Sequence, residues 1–480
     1  MTLAFDFERT AKGDIHLAIL DDQDVLWPHP AQHDGAADFD PEDVLSYLAD
    51  AWPSLLLSQT WPAIFAPDQE PRSITGLMRA ADDRWEQMAA DEQAQVEGEV
   101  NAIDAFLYQH DLSSMKHGAG LPSMFVLRQG SRLRVEAGGR ILQEQDFRVF
   151  QRGLERLGAT ACDMLALRDH PSAQILITRW AGRDRADPLL IASYMTGIPR
   201  AELVTVPGLG ATLVEGLADK KITAIANDNR TPLYAAARCS GGLGPRGMFA
   251  ALQALRSIPH GDVTNLQRLR RKITAHVRGV AGPLDQGIRA ADIVRSVMAQ
   301  QPGAAVDLAA LSKSLDITVD RPVNLDPQID GLASIGPRHG PAILLNTRTE
   351  RRGSKDGDLE RSLRFTWAHE LGHLLMDGEE WPALIDAALQ RIPREVEVRA
   401  NAFGAYLLLP PAVAFERIDA TAPTMDWASL EPLLNQICTE YGVPRILASR
   451  QAVRGAPPER SAVFAQIFRA HIPNFDRRGG

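Results

Sequence analysis

The sequence predicts an α+β chain that is mostly helical and divided into several domains. Three observations carry that expectation. The chain has 480 residues, which at about 150 residues per domain points to two to four domains. Hydrophobic residues make up 45% and charged residues 23%, a globular composition that excludes a disordered or collagen-like chain. Short strand-like runs gather near the start and again after residue 310, with long helical patterning between and after them.

The first 140 residues open with LAFDFER (Leu3–Arg9) and DIHLAIL (Asp14–Leu20), followed by the turn-forming DDQD before Val25. A second hairpin is expected where Met124–Gln129 meets Arg132–Ala137, because Gly130 can supply a positive φ. Helices are expected around Pro41–Ser58 and Ile74–His110, the latter broken near Ala89–Asp91. Residues 141–283 read as a mainly helical middle region punctuated by Pro and Gly, with Gly279–Pro283 as the linker candidate. From 284 to 455 the reading is a helix at Asp285–Gln301, the short helix in VDLAALSKSL, the strand ITVD, and a GLASI–AILLN hairpin. Two long helices follow. Residues 456–480 are treated as a C-terminal tail with no assigned structure.

Charge and cysteines narrow the function. A net charge of −10 repels a phosphate backbone, so direct nucleic-acid binding would need a local basic patch. Cys162, Cys239 and Cys438 lie far apart, which excludes a disulfide framework or a cysteine zinc cluster and suggests a cytoplasmic protein. No apolar run approaches the roughly 20 residues that cross a bilayer. The N-terminus carries early acids and lacks the apolar stretch of a signal peptide. No phosphate-binding Gly-rich loop is present.

The chemistry is concentrated in RSLRFTWAHELGHLLMDG, which holds His369-Glu370-Leu371-Gly372-His373, an H-E-x-x-H. Positions four apart on a helix share a face, so His369 and His373 can reach one cation. Glu370 sits where it can act as general base toward a water at the metal. Phe365, Leu374 and Leu375 can pack, and Gly378 can end the helix. A catalytic Zn2+ site needs a third protein ligand and one open position. The next helix, REVEVRANAFGAYLLLP, offers Glu397 on a face shared with Ala400, Asn401, Gly404 and Leu408. The small residues permit close approach to the histidine helix, and Asn401 can orient a ligand imidazole through its second nitrogen. Glu395 shares a different face with Val398, Arg399 and Ala402, and the charged Arg399 suggests that this face meets solvent. The strand Ala342–Asn346, if it forms a sheet edge beside the site, could pair with an extended peptide; an internal core strand is an equal alternative. His339, Arg348, Arg352 and Tyr406 are available oxyanion donors, with nothing in the sequence to choose among them.

FTWAHELGHLL followed by EVRANAFGAYLLLP resembles the ImmA/IrrE family of prokaryotic zinc metallopeptidases. VDLAALSKSLDITVD, the hairpin with Asn346, and YGVPRILASRQAV resemble the family's flanking elements, so the likeness runs from about Ala290 to Val453. It implies a gluzincin-like metallopeptidase domain within 284–455, with zinc on His369, His373 and Glu397 and with Glu370 as catalytic acid/base. It also implies a protein substrate of the repressor or antitoxin-like class, in a stress, mobile-element or defence response. Gly404 stands where the family often has Ala, and no leading DNA-binding domain is evident. A different class of function is a metal-binding regulatory or DNA-associated sensor with little turnover; a third is a toxin–antitoxin or phage-defence component whose peptidase activity a partner triggers. Two weaker features complete the reading. Ser193–Val206 has part of a helix-turn-helix pattern, for which an ordinary helical hairpin is the favoured interpretation. Arg268–Arg278 is a basic amphipathic stretch, expected to be a solvated helix face.

Overall fold

The structure, a computed structural model, describes residues 3–28, 35–59, 61–62, 73–89, 92–116, 120–168, 170–214, 217, 220–227, 245–254, 257–298, 303–321, 325–327, 329–335, 340–348, 356–377, 394–419, 426–473 and 475–476. They fall into two compact units, one up to Asn229 and one from Arg246 onward. Helices dominate both, with small sheets, which agrees with the α+β expectation. No helix among the described residues is long and apolar enough to cross a membrane.

The N-terminal unit begins with strands β1 (Leu3–Arg9), β2 (Ile15–Asp21), β3 (Asp24–Trp27) and β4 (Ala37–Phe39), with β2 pairing all three others antiparallel. The β2–β3 turn puts Asp22 at φ 57°, a left-handed position that Asp tolerates. The second predicted hairpin forms as β5 (Met124–Gln129) and β6 (Arg132–Ala137), with Gly130 at φ 67°, and β7 (Arg140–Asp146) extends it into a meander. The helix Pro41–Leu57 starts on Asp40, whose carboxylate accepts from the Glu42 N–H, with Pro at the first turn where no donor is needed. Beyond it, the predicted break separates helices Ile74–Trp85 and Gln93–His110. Arg128 is buried and donates to the carbonyls of Leu56, Gly130 and Ala226, which offset the cost of removing its charge from water. The would-be recognition helix after Pro188–Thr196 is only Arg200–Leu203, one turn following left-handed Gly197. That length suits a helical hairpin and not a DNA-reading helix.

His110 is wholly buried, with Nδ1 donating to the Val126 carbonyl (2.8 Å) and Nε2 within 2.9 Å of the Ser54 hydroxyl. Burial disfavours its charged form more than the carbonyl favours it, and the imidazole is pushed down to about 4. The sign follows: below pH 6.5 the unfolded chain takes up a proton that the folded chain refuses. The N-terminal unit should therefore lose about 3 kcal/mol between pH 6.5 and pH 4 from this group alone. Denaturant midpoints across that range should fall with pH, and less steeply in His110→Gln. An equal slope in the variant would rule the histidine out as the source.

In the C-terminal unit the basic stretch lies on helix Thr264–Val277. Leu266, Leu269 and Ile273 pack into the core, while Arg268, Arg271, Lys272 and Arg278 are exposed. The expected helix after the Gly-Pro linker starts at Pro283 and runs to Val297, and it packs extensively on Arg394–Leu408. Gly287 makes that contact possible: a Cβ there would lie 2.2 Å from the Arg399 carbonyl and 2.9 Å from the Ala402 Cβ. After the helix Leu308–Ser314 come β8 (Thr318–Asp320), β9 (Gly331–Ser334) and β10 (Ala342–Leu345). The expected hairpin is present, since β9 and β10 pair antiparallel. β10 is nevertheless the central strand, because β8 pairs parallel to its other side through Ala342↔Thr318. Of the two placements open for Ala342–Asn346, sheet edge or internal strand, the internal one is found. The outer strand alongside the histidine helix is β9.

One core cluster joins these elements to Leu371, Leu374, Leu375, Phe403 and Leu407 of the two motif helices. The segment from 456, given no structure from sequence, carries the helix Pro458–His471, which buries Phe464 and Phe468 in that same core.

Candidate metal centre

The histidine helix spans Asp356–Met376 and the glutamate helix Arg394–Leu408. They cross at small residues. A Cβ on Gly404 would stand 3.1 Å from the His369 amide nitrogen, and one on Gly372 would meet the Phe403 ring at 2.9 Å and the Ala400 Cα at 3.4 Å. The one-turn spacing puts His369 above His373, with ring centroids 4.6 Å apart and planes at 81°.

At the crossing, His369 Nε2 lies 3.4 Å from Glu397 Oε2 and His373 Nε2 lies 3.4 Å from Glu397 Oε1. The two Nε2 atoms are 2.9 Å apart. One ligating atom from each of the three residues falls within 4.8 Å of the others, and all three are buried. Glu370 lies on the same helix and is wholly buried. It faces β9, where a Cβ on Gly331 would come within 2.6 Å of Thr366 Cγ2 and 3.2 Å of Glu370 Cγ and Oε1.

The second ring nitrogens decide the tautomers. His373 Nδ1 is 2.8 Å from Asp377 Oδ2, a carboxylate that can only accept, so Nδ1 carries the hydrogen. His369 Nδ1 is 3.1 Å from Asn401 Oδ1 and donates to it in the same way. Both Nε2 atoms then present lone pairs to each other and to a carboxylate. Among the described residues neither Glu397 oxygen makes a hydrogen bond. Such a convergence of electron-rich atoms is repulsive without a positive charge in its midst. Two imidazole nitrogens and one carboxylate are a donor set that suits a zinc-like cation.

The electrostatics agree. Burial opposes ionisation of Glu397, but the imidazoles of His369 and His373 outweigh it and hold the carboxyl down at about 2. With no cation present a proton on His373 Nε2 takes its place: burial opposes the charged imidazole, and Asp377 with Glu397 overcome it, raising it to about 10. The site is built to keep a positive charge.

Two residues escaped the sequence reading. Asp377 sits one turn after His373 and has a fully buried side chain. Arg399 was expected to mark a solvent face; it is instead mostly buried, ion-paired with Asp377, and donates to Gln286 Oε1 at 3.1 Å. The physical reason is that the face of Val398, Arg399 and Ala402 is covered by the helix Pro283–Val297. The spacing of Asp377, four residues after His373, was a usable signal; the pairing of 286 with 399 was not. Asn346 is buried, donates to the carbonyls of Asp326 and Ile329 and accepts from the Arg348 N–H, closing the turn after β10. Tyr406 is in the electrostatic neighbourhood of Arg454, Asp292 and Asp285. His339, Arg352 and Gly378 lie outside the described residues.

Residues 356–451 match the family model of the IrrE N-terminal-like domain, Peptidase_M78. The C-terminal region therefore carries a domain of the ImmA/IrrE peptidase family, as the motifs led us to expect. That assignment implies a metallopeptidase acting on a protein or peptide, and His369, His373 and Glu397 are a group that could hold its metal. Neither a curated protein nor a solved structure matches the chain.

Proposed function

We propose that this chain is a cytoplasmic zinc-dependent endopeptidase whose C-terminal module, 284–455, cuts a specific protein substrate. In this reading His369, His373 and Glu397 hold the zinc in a gluzincin-like arrangement, and Glu370 is the catalytic acid/base. The observation that carries it is the convergence of two imidazole Nε2 atoms, each with its Nδ1 against an acceptor, and a buried carboxylate, together with an acid adjacent to the first histidine on the same helix. Zinc bound there would supply Lewis acidity toward the scissile carbonyl and toward water. Glu370 takes the proton from the attacking water and returns it to the leaving nitrogen. Asn401 and Asp377 hold the two imidazoles in the tautomer that leaves each Nε2 free. The substrate class we favour is a repressor or antitoxin-like regulator in a stress, mobile-element or defence response, selected or gated by the first 283 residues.

Metal analysis of the purified chain, combined with co-expression of any repressor-like reading frame encoded beside it, tests the proposal. About one zinc per chain and a cut regulator are expected. Stoichiometric zinc persisting in a His369→Ala/His373→Ala double variant would refute the placement of the site.

A further inference from the structure

Asp377 and Arg399 lie behind the metal-facing side of His373; the zinc-peptidase reading above uses Asp377 only to set the His373 tautomer and gives Arg399 no task. Burying a carboxylate side chain completely is costly unless both oxygens are engaged. Those of Asp377 are engaged in two directions: Oδ2 accepts from His373 Nδ1 at 2.8 Å and Oδ1 is ion-paired with Arg399. Arg399 in turn donates to Gln286 Oε1 at 3.1 Å. Residues two apart on a helix point about 200° apart. The glutamate helix thus reaches His373 on both sides, with Glu397 at Nε2 and with Arg399, through Asp377, at Nδ1. Gln286 belongs to the helix Pro283–Val297, upstream of the family-matched segment, and Gly287 lets that helix seat directly against the Arg399 carbonyl.

We infer that Asp377 is a positioning residue, held in place by Arg399 and Gln286, that fixes the His373 ring and sets how tightly it binds the metal. The inference rests on the metal-centre reading above. A charged acceptor on Nδ1 makes the imidazole a stronger donor at Nε2 and prevents the ring from rotating. Arg399 holds the second carboxylate oxygen away from the cation, so Asp377 supports a ligand without becoming one. The metal module accordingly includes the helix from Pro283, outside residues 356–451.

The test uses the full chain and Zn2+ affinity measured against a competing chelator, with Co2+ d–d absorption and apo-protein melting alongside. Asp377→Asn is expected to weaken zinc about 10- to 100-fold, to alter the cobalt bands, and to melt near wild type. Asp377→Glu is expected to recover part of the loss. Asp377→Asn/Arg399→Gln should bind no more weakly than Asp377→Asn, because Arg399 acts through Asp377. If Asp377→Asn does not fold, Arg399→Gln carries the test, with a loss of at least about threefold expected. Wild-type affinity and unchanged cobalt bands in the folded variants would overturn the inference. A wild-type chain that binds no zinc would instead overturn the metal-centre reading beneath it.

Discussion

Glu370→Gln is expected to keep its metal and lose about 10²- to 10⁴-fold in peptide hydrolysis, the contribution of a positioned general acid/base. Gln preserves the size of the side chain and can still hydrogen-bond, but it cannot take a proton from water. Glu370 is fully buried on the wall of the helix that carries both imidazoles, against β9 at Gly331. The substitution therefore removes the base without opening a cavity. Metal content and melting temperature should match wild type. If the biological output of the Gln variant equalled that of wild type, the catalytic reading would fail and a metal-binding sensor would replace it.

Glu397→Ala should weaken zinc binding by more than about 100-fold, beyond the range typical of residues that merely support a ligand, while Glu395→Ala should bind nearly as wild type. The two acids are two residues apart on one helix and differ in setting. Glu397 is buried with each oxygen 3.4 Å from an imidazole Nε2, and the histidines hold its carboxyl down at about 2. Glu395 is exposed. Removing Glu397 leaves two lone pairs facing each other with no anion to balance a cation. A chelator titration giving the reverse order, or equal and mild losses, would move the third ligand elsewhere.

Much of this centre was legible because its grammar is local. His369 and His373 are one turn apart, and Glu397, Ala400, Asn401 and Gly404 share a helical face; short-range periodicity is enough to place each of them. The two N-terminal hairpins were legible for the same reason, through Asp22 and Gly130 at turn positions. What escaped depends on partners distant in sequence. Arg399 reads as a solvent-facing charge until the helix Pro283–Val297 is placed over it, and no local signal links Gln286 to Arg399. β10 reads as a possible edge until β8, more than twenty residues upstream, pairs with it. The final helix is a different case. Phe464 and Phe468, four apart in PERSAVFAQIFRAH, were a readable apolar stripe, obscured by the flanking prolines and arginines.

The near-complete burial of His369, His373 and Glu397 has a consequence for timing. His369 is 1% exposed, His373 0% and Glu397 6%, and the helices that carry them are locked across Gly372 and Gly404. A cation held there would be released slowly, because moving any of these three side chains aside requires those helices to part. Exchange with free metal would then be slow in both directions, and a fall in supply would leave the occupied molecules unchanged for as long as the crossing stays closed.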